Sequence, residues 1–179
     1  NVTGDGDFNQ SSAAAHAFNN SGTFNRSGAG TTTVFTGVTF NNTGTANVTA
    51  GTLSLLASGS NSGLIDLLAG TTLTLSGNFN NLAGGTMGGA GNVSLPAGTH
   101  NFVGPVLTTG TVTISGATVN VSAALELARL TLANGTLQGS GNVTITNTFN
   151  WSVGTMAGAG HTIFASGAVS NFTSTSTKG

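Results

Sequence analysis

Very few side chains here are suited to acid–base or metal chemistry. The ionisable residues are Asp5, Asp7, Asp66, Glu126, Arg26, Arg129 and Lys178, with His16, His100 and His161. There is no Cys. Glycosidic hydrolysis needs two carboxylates within about 5 to 9.5 Å of each other. Asp66 and Glu126 stand a third of the chain apart. The three histidines never form a close pair, and no Ser-His-Asp grouping is available, so no catalytic residue is assigned. Gly4-Asp5-Gly6-Asp7-Phe8-Asn9 is the one stretch with the oxygen-rich character a calcium ion wants. It offers two carboxylates, Asp5 and Asp7, and no bidentate Glu follows, so it reads as a polar turn before the first strand. Gly88-Gly89-Ala90-Gly91 is glycine-rich but is followed by a strand pattern instead of the helix a phosphate loop needs. No cofactor is expected.

The elements that hold these residues must form without charge. Charged residues make up 4% of the 179, and the formal net charge is −1, against about 25% charged in an ordinary soluble domain. Three isolated cations cannot neutralise a row of phosphates, which excludes nucleic acid as a partner. The chain is 37% hydrophobic, too apolar for a disordered polyelectrolyte. It has no run of about 18 apolar residues, so no membrane span is expected. Without cysteine, disulfides cannot hold it together. The sequence opens at Asn1 without a signal-peptide pattern, and reads as a mature chain or an excised segment whose export signals have been lost.

Repetition decides the fold class. A Gly and a short β-prone run recur at Gly22, Gly44, Gly63, Gly85, Gly110, Gly135 and Gly154. The steps are uneven and average roughly 22 residues, within the range of solenoid repeats. Between these glycines the pattern is apolar–polar–apolar, as in Leu53-Ser54-Leu55, Leu73-Thr74-Leu75, Val93-Ser94-Leu95, Val112-Thr113-Ile114 and Leu130-Thr131-Leu132. Period-two alternation marks strands with one buried face. Strands this short hold only if each turn of chain stacks on the next and buries a continuous apolar column. The expected fold is all-β, a parallel β-helix of about eight rungs with roughly 20–25 residues per rung. Residues 22–172 would form the solenoid, 1–21 an irregular N-terminal arm or cap, and 173–179 a C-terminal strand or linker. The only stretch of helix-forming composition, 121–130, also alternates. Three rungs at about 4.8 Å each would leave Asp66 and Glu126 roughly 14 Å apart on one face.

Two polar patterns accompany the repeat. Ser54, Thr74, Ser94, Thr113 and Thr131 recur at nearly even steps of roughly one rung, which places them in an outward ladder. Thr144 breaks that spacing, and a register shift is expected between 131 and 144. Asn-X-Ser/Thr occurs at Asn1, Asn9, Asn19, Asn25, Asn41, Asn47, Asn92, Asn120, Asn134, Asn142 and Asn171, all candidates for N-glycosylation. Asn also tolerates left-handed corners, and stacked Asn side chains can bond along a solenoid as in cross-β ladders.

The strings GTLSLLASGSNSGLIDLLAGTTLTLSGNF, GTLQGSGNVTITNTFNW and GTMAGAGHTIFASGAV resemble the β-strand repeats of large secreted bacterial surface proteins, autotransporter passengers and filamentous-haemagglutinin-type adhesins among them. The resemblance spans roughly residues 20–172 and is one of repeat style. It implies a β-helical rod at the cell surface and transfers no site residues. The expectation is therefore an extracellular, non-enzymatic structural module that self-associates into a fibre, sheath or adhesin. The alternatives are a glycan- or ice-binding surface module and a polysaccharide-acting β-helix enzyme. The expected partners are copies of itself and surface glycans.

Overall fold

The computed structural model describes residues 1–4, 6, 8–10 and 14–173, with the side chains of 31–36 set aside. Among the described residues there is no helix. The chain winds as a three-sided parallel solenoid, each coil laying one strand on each face. The first coil holds β1 (Phe8–Asn9), β2 (His16–Asn20) and β3 (Thr23–Arg26). The second holds β4 (Thr31–Thr36), β5 (Val38–Asn42) and β6 (Thr45–Val48). β7 (Thr52–Leu55), β8 (Gly59–Asn61) and β9 (Leu64–Leu67) form the third, and β10 (Thr72–Leu75), β11 (Phe79–Asn81) and β12 (Thr86–Gly89) the fourth. The fifth has β13 (Asn92–Leu95), β14 (Thr99–Phe102) and a single bridge from Val106 to Met87. Later strands run round the corners. These are β15 (Thr111–Val121), β16 (Leu125–Gly139) and β17 (Val143–Trp151), followed by β18 (Thr155–Met156), β19 (Thr162–Phe164) and β20 (Val169–Phe172). Every pairing is parallel, for a total of about eight coils.

Alternation fixes which side chains go in. On the first face Leu55 and Leu75 pair, then Ile114, Leu132, Trp151 and Phe172 follow in register. Leu55, Leu75, Ile114 and Leu132 are at most 1% exposed. On the second face Phe40, Gly59, Phe79, His100, Val119 and Leu137 form one inward column. On the third, Phe24, Ala46, Ile65 and Met87 stack. The three sets meet in one continuous hydrophobic core. Burial of that core is what offsets the entropy of ordering such short strands.

Several sequence expectations take a more definite form. Partners in register, such as Leu53 with Leu73 and Val112 with Leu130, define a coil slightly shorter than the glycine spacing indicates. The glycine repeat overstates the coil because it mixes faces. Gly22, Gly44, Gly63 and Gly85 precede third-face strands, Gly110 a first-face strand, and Gly135 and Gly154 second-face strands. The two longest steps, Gly85 to Gly110 and Gly110 to Gly135, are the places where the repeat changes face. The glycines serve in two ways as well. Gly135 has φ +89°, the left-handed corner expected of it. Gly63 does not; a Cβ there would sit 2.1 Å from the carbonyl oxygen of Gly44 in the coil beneath, so close stacking excludes any side chain.

The solenoid also starts earlier than residue 22. β2 pairs with β5 over its whole length, His16 on Val38 through Asn20 on Asn42, and Val2 bridges Arg26. Part of the 1–21 stretch is therefore the first coil and not an arm, because HAFNN alternates in the same phase as VTFNN. Within 121–130, Leu125 to Leu130 lie in strand β16. Of the 173–179 tail, 174–179 lie outside the described residues, and the last strand ends at Phe172.

Candidate functional site

The outward Ser/Thr ladder lies on the first face. Thr74 is in register with Ser54 on one side and Ser94 on the other, Ser94 with Thr113, and Thr113 with Thr131. The column then continues into Asn150 and Asn171. Thr144 breaks the spacing because it belongs to the third face, where it sits between Glu126 and Ile163. The sequence missed a second outward column, two residues back along each strand. Thr52, Thr72, Asn92, Thr111, Arg129 and Thr148 occupy it. Among the described residues, the hydroxyls of Thr52, Ser54, Thr72, Thr74, Ser94, Thr111, Thr113 and Thr131 make no hydrogen bond within the protein.

The second face treats its polar residues differently. Its outward column is Asn19, Asn41, Ser60, Asn80, Asn101, Asn120 and Gln138. These side chains bond to one another. Asn41 Nδ2 donates to Asn19 Oδ1 at 2.9 Å, and Ser60 Oγ to Asn41 Oδ1 at 3.0 Å. A second run links Asn101 to Asn80 at 2.6 Å, Asn120 to Asn101 at 2.8 Å and Gln138 to Asn120 at 2.7 Å. A buried ladder stands at the end of the same strands. Asn20 donates to Asn42, Asn42 to Asn61 and Asn61 to Asn81, at 2.7 to 2.8 Å. Each also donates to the backbone of the next strand, for example Asn61 Nδ2 to the Thr86 carbonyl at 3.2 Å. From the fifth coil on, this inward column becomes Phe102, Val121 and Gly139. Asn20, Asn42, Asn61 and Asn81 recur at one-coil steps of 22, 19 and 20 residues, a signal hidden because Asn in such polar contexts reads as a turn.

Among the described residues two ionisable side chains are also buried. Arg26 is fully buried at the third-face strand of the first coil, and its guanidinium donates to the carbonyls of Gly28 and Gly30. His100 is fully buried between Phe79 and Val119, with Nε2 against the Ala97 carbonyl at 2.9 Å and Nδ1 without a hydrogen-bond partner. Burial holds the His100 pKa below the usual histidine value, and the Ala97 contact offsets this only in part.

The remaining candidate residues are dispersed. Asp5 and Asp7 lie outside the described residues. Asp66, outward in β9, and Glu126, outward in β16, share the third face three coils apart, about 14 Å at the usual strand spacing. Among the described residues no three His, Asp or Glu side chains gather closely enough to hold a metal. A cleft of about 200 Å³ opens at a corner of the last coils, lined by Gln138, Met156, His161 and Thr162 among others, with no carboxylate. Asn19, Asn25, Asn41, Asn47, Asn120 and Asn171 are tied into amide ladders, with Asn1 accepting from Asn25. Asn92, Asn134 and Asn142 are exposed and use only Oδ1, which accepts the backbone N–H of Thr111, Gly135 and His161 respectively. Asn9 is exposed in β1. No helix among the described residues is long and apolar enough to cross a membrane. Comparison with family models, curated proteins and solved structures found no match to this chain.

Proposed function

We propose that this chain is an extracellular, non-enzymatic structural module of a cell-surface adhesin, fibre or sheath, and that copies of it self-associate end to end. The observation that carries this reading is the last coil. Phe164 and Phe172 occupy inward column positions, pack on Phe149 at 5.8 and 6.2 Å, and are nonetheless 41% and 56% exposed. Val169 and Ile163 are also exposed there. Among the described residues β18, β19 and β20 each pair on one side only, and such an edge templates pairing with a further parallel coil, from another copy or from more of the same polypeptide. At the opposite end, Phe8 heads the same inward column and is 36% exposed. Apolar meets apolar, and an open parallel edge meets an open parallel edge. With a net charge of −1, little repulsion opposes the contact. The resemblance to surface-protein repeats supports the same reading. Surface glycans remain candidate partners, although among the described residues the large aromatics sit in the core or at the ends and give no outward row for sugar rings to stack on.

Sedimentation velocity and electron microscopy across a concentration series test it. Rods that lengthen with concentration are expected, with an axial repeat of about 40 Å for eight coils. The double variant Phe164→Asp/Phe172→Asp should remain monomeric with an unchanged β-sheet circular dichroism spectrum. A wild-type chain that stays monomeric at high concentration would overturn the reading.

A further inference from the structure

We infer that the first face is an ice-binding surface, a function separate from end-to-end association. Its geometry is a grid. Coils repeat at about 4.8 Å, and alternate residues along a parallel strand at about 6.6 Å. Those repeats are close to the oxygen spacings on the prism planes of ice. Two columns occupy the grid across successive coils, Ser54, Thr74, Ser94, Thr113 and Thr131 beside Thr52, Thr72 and Thr111, with Asn92 and Arg129 taking two positions of the second.

Three observations point outward from this face to a ligand. The hydroxyls are unspent, since none of them bonds within the protein, whereas the amides on the second face are largely bonded to each other. Ser54 is more than nine-tenths buried, projects outward between Leu53 and Leu55, and still has no partner for its hydroxyl. Its hydroxyl oxygen nonetheless reaches solvent, so its hydrogen bonding is left to water or to whatever docks on the face. Finally, the face is nearly free of charge. Among the described residues Arg129 is its one charged member, and its guanidinium is turned back to the Thr109 carbonyl at 2.6 Å.

The chemistry favours ordered water over other occupants. Threonine is stiff at χ1, so the hydroxyls and methyls are held at fixed spacing by the parallel sheet. A preorganised array loses little entropy when a regular lattice docks on it. The methyl groups hold few strongly bound liquid waters, and the hydroxyls join the lattice as donors and acceptors. Crystalline polysaccharide would present a comparable repeat, but carbohydrate faces are usually met by aromatic rings, and among the described residues the first face shows none outward.

Ice-affinity partitioning of the purified chain tests the inference, with ice-recrystallisation inhibition as a second readout. The wild type should be enriched in the ice fraction at least fivefold over serum albumin. Thr74→Lys/Thr113→Lys should fall to the albumin level, and the milder Thr74→Ala/Thr113→Ala should lose most of the enrichment. Thr144→Lys, on the third face, should leave it unchanged. Circular dichroism establishes that each variant is folded, and the alanine variant covers the case in which the lysines are not tolerated. Absence of wild-type enrichment would overturn the inference. So would equal loss in Thr144→Lys, or retention on microcrystalline cellulose without any ice binding. The Phe164→Asp/Phe172→Asp chain should still partition into ice, which separates this function from end-to-end assembly.

Discussion

The first and second faces share one backbone, one coil spacing and one parallel pairing, and they treat polar side chains in opposite ways. On the second face Asn101 reaches down to Asn80 and Asn120 down to Asn101, at 2.6 and 2.8 Å. On the first, Thr74, Ser94 and Thr113 stand in the same kind of register and bond to nothing in the protein. The difference is one of reach. Stacked coils lie about 4.8 Å apart, while an O–H···O bond spans about 2.5 to 3.0 Å. Two hydroxyls directly above one another therefore cannot meet. An amide carries its donor and acceptor on opposite sides of a planar group, and so bridges the gap. Ser60 bonds to Asn41 because the amide supplies the missing length. Side-chain length alone thus turns one face into a self-satisfied scaffold and leaves the other open to solvent or a ligand.

The buried ladder is the strongest case of that scaffold, and breaking it should have the largest effect. Asn61→Leu leaves the buried Asn81 Oδ1 without its side-chain donor, removes the donor to the Thr86 carbonyl, and takes from Asn42 Nδ2 one of its three acceptors. Each stranded buried group costs about 1–3 kcal/mol, so a loss of about 3 kcal/mol is expected. In a chain of this size that is roughly 6–12 °C in melting temperature. A melting temperature that barely moves would show that the ladder is incidental to stability.

The inward column of the second face makes the next prediction. Desolvation lowers the His100 pKa in the folded chain, so the folded state binds a proton less readily than the unfolded one. Stability from the neutral ring is then fully present above the unfolded value of about 6.5 and is lost as pH falls below it. The groups packed round the ring, Phe79, Phe102 and Val119, carry no charge to offset a protonated imidazole. Melting temperature should drop between pH 7.5 and pH 5, and His100→Phe should flatten that slope. A wild-type profile as flat as the variant's would show that the ring does not titrate with unfolding.

How much of this was legible depended on whether a residue obeyed the alternation. Leu53-Ser54-Leu55 and its later copies obey it, so the strands, the parallel stacking and the first-face ladder all follow from spacing. The second column, Thr52, Thr72 and Thr111, hid because Asn92 and Arg129 interrupt it. Asn20, Asn42, Asn61 and Asn81 put a polar group where the pattern calls for an apolar one, and only the register of whole coils reveals that they face one another. Arg26 and His100 violate the pattern for the same reason. The glycine spacing misled about coil length, since similar strings such as 85–95 and 135–145 turn different corners of the solenoid.

The outer ladder and the hydroxyl face then give a matched pair of small effects. Asn101→Ala removes two side-chain bonds at a partly exposed site and should cost about 1 kcal/mol, the net value of ordinary hydrogen bonds partly replaced by water.

Thr113→Ala should be the mildest change of all. Its hydroxyl has no partner to lose, its neighbours Val112 and Ile114 carry the burial, and only the β-branched preference for a strand is given up. That preference spans about 1 kcal/mol across all residue types, so a loss below about 0.5 kcal/mol is expected. Chemical denaturation of Thr113→Ala and Asn101→Ala side by side measures the contrast directly. Equal losses would mean that the two faces are energetically alike and that the first-face hydroxyls do take part in the fold. A near-silent Thr113→Ala would mean that this column of side chains stabilises little, and that its regular spacing requires an explanation outside the folded chain.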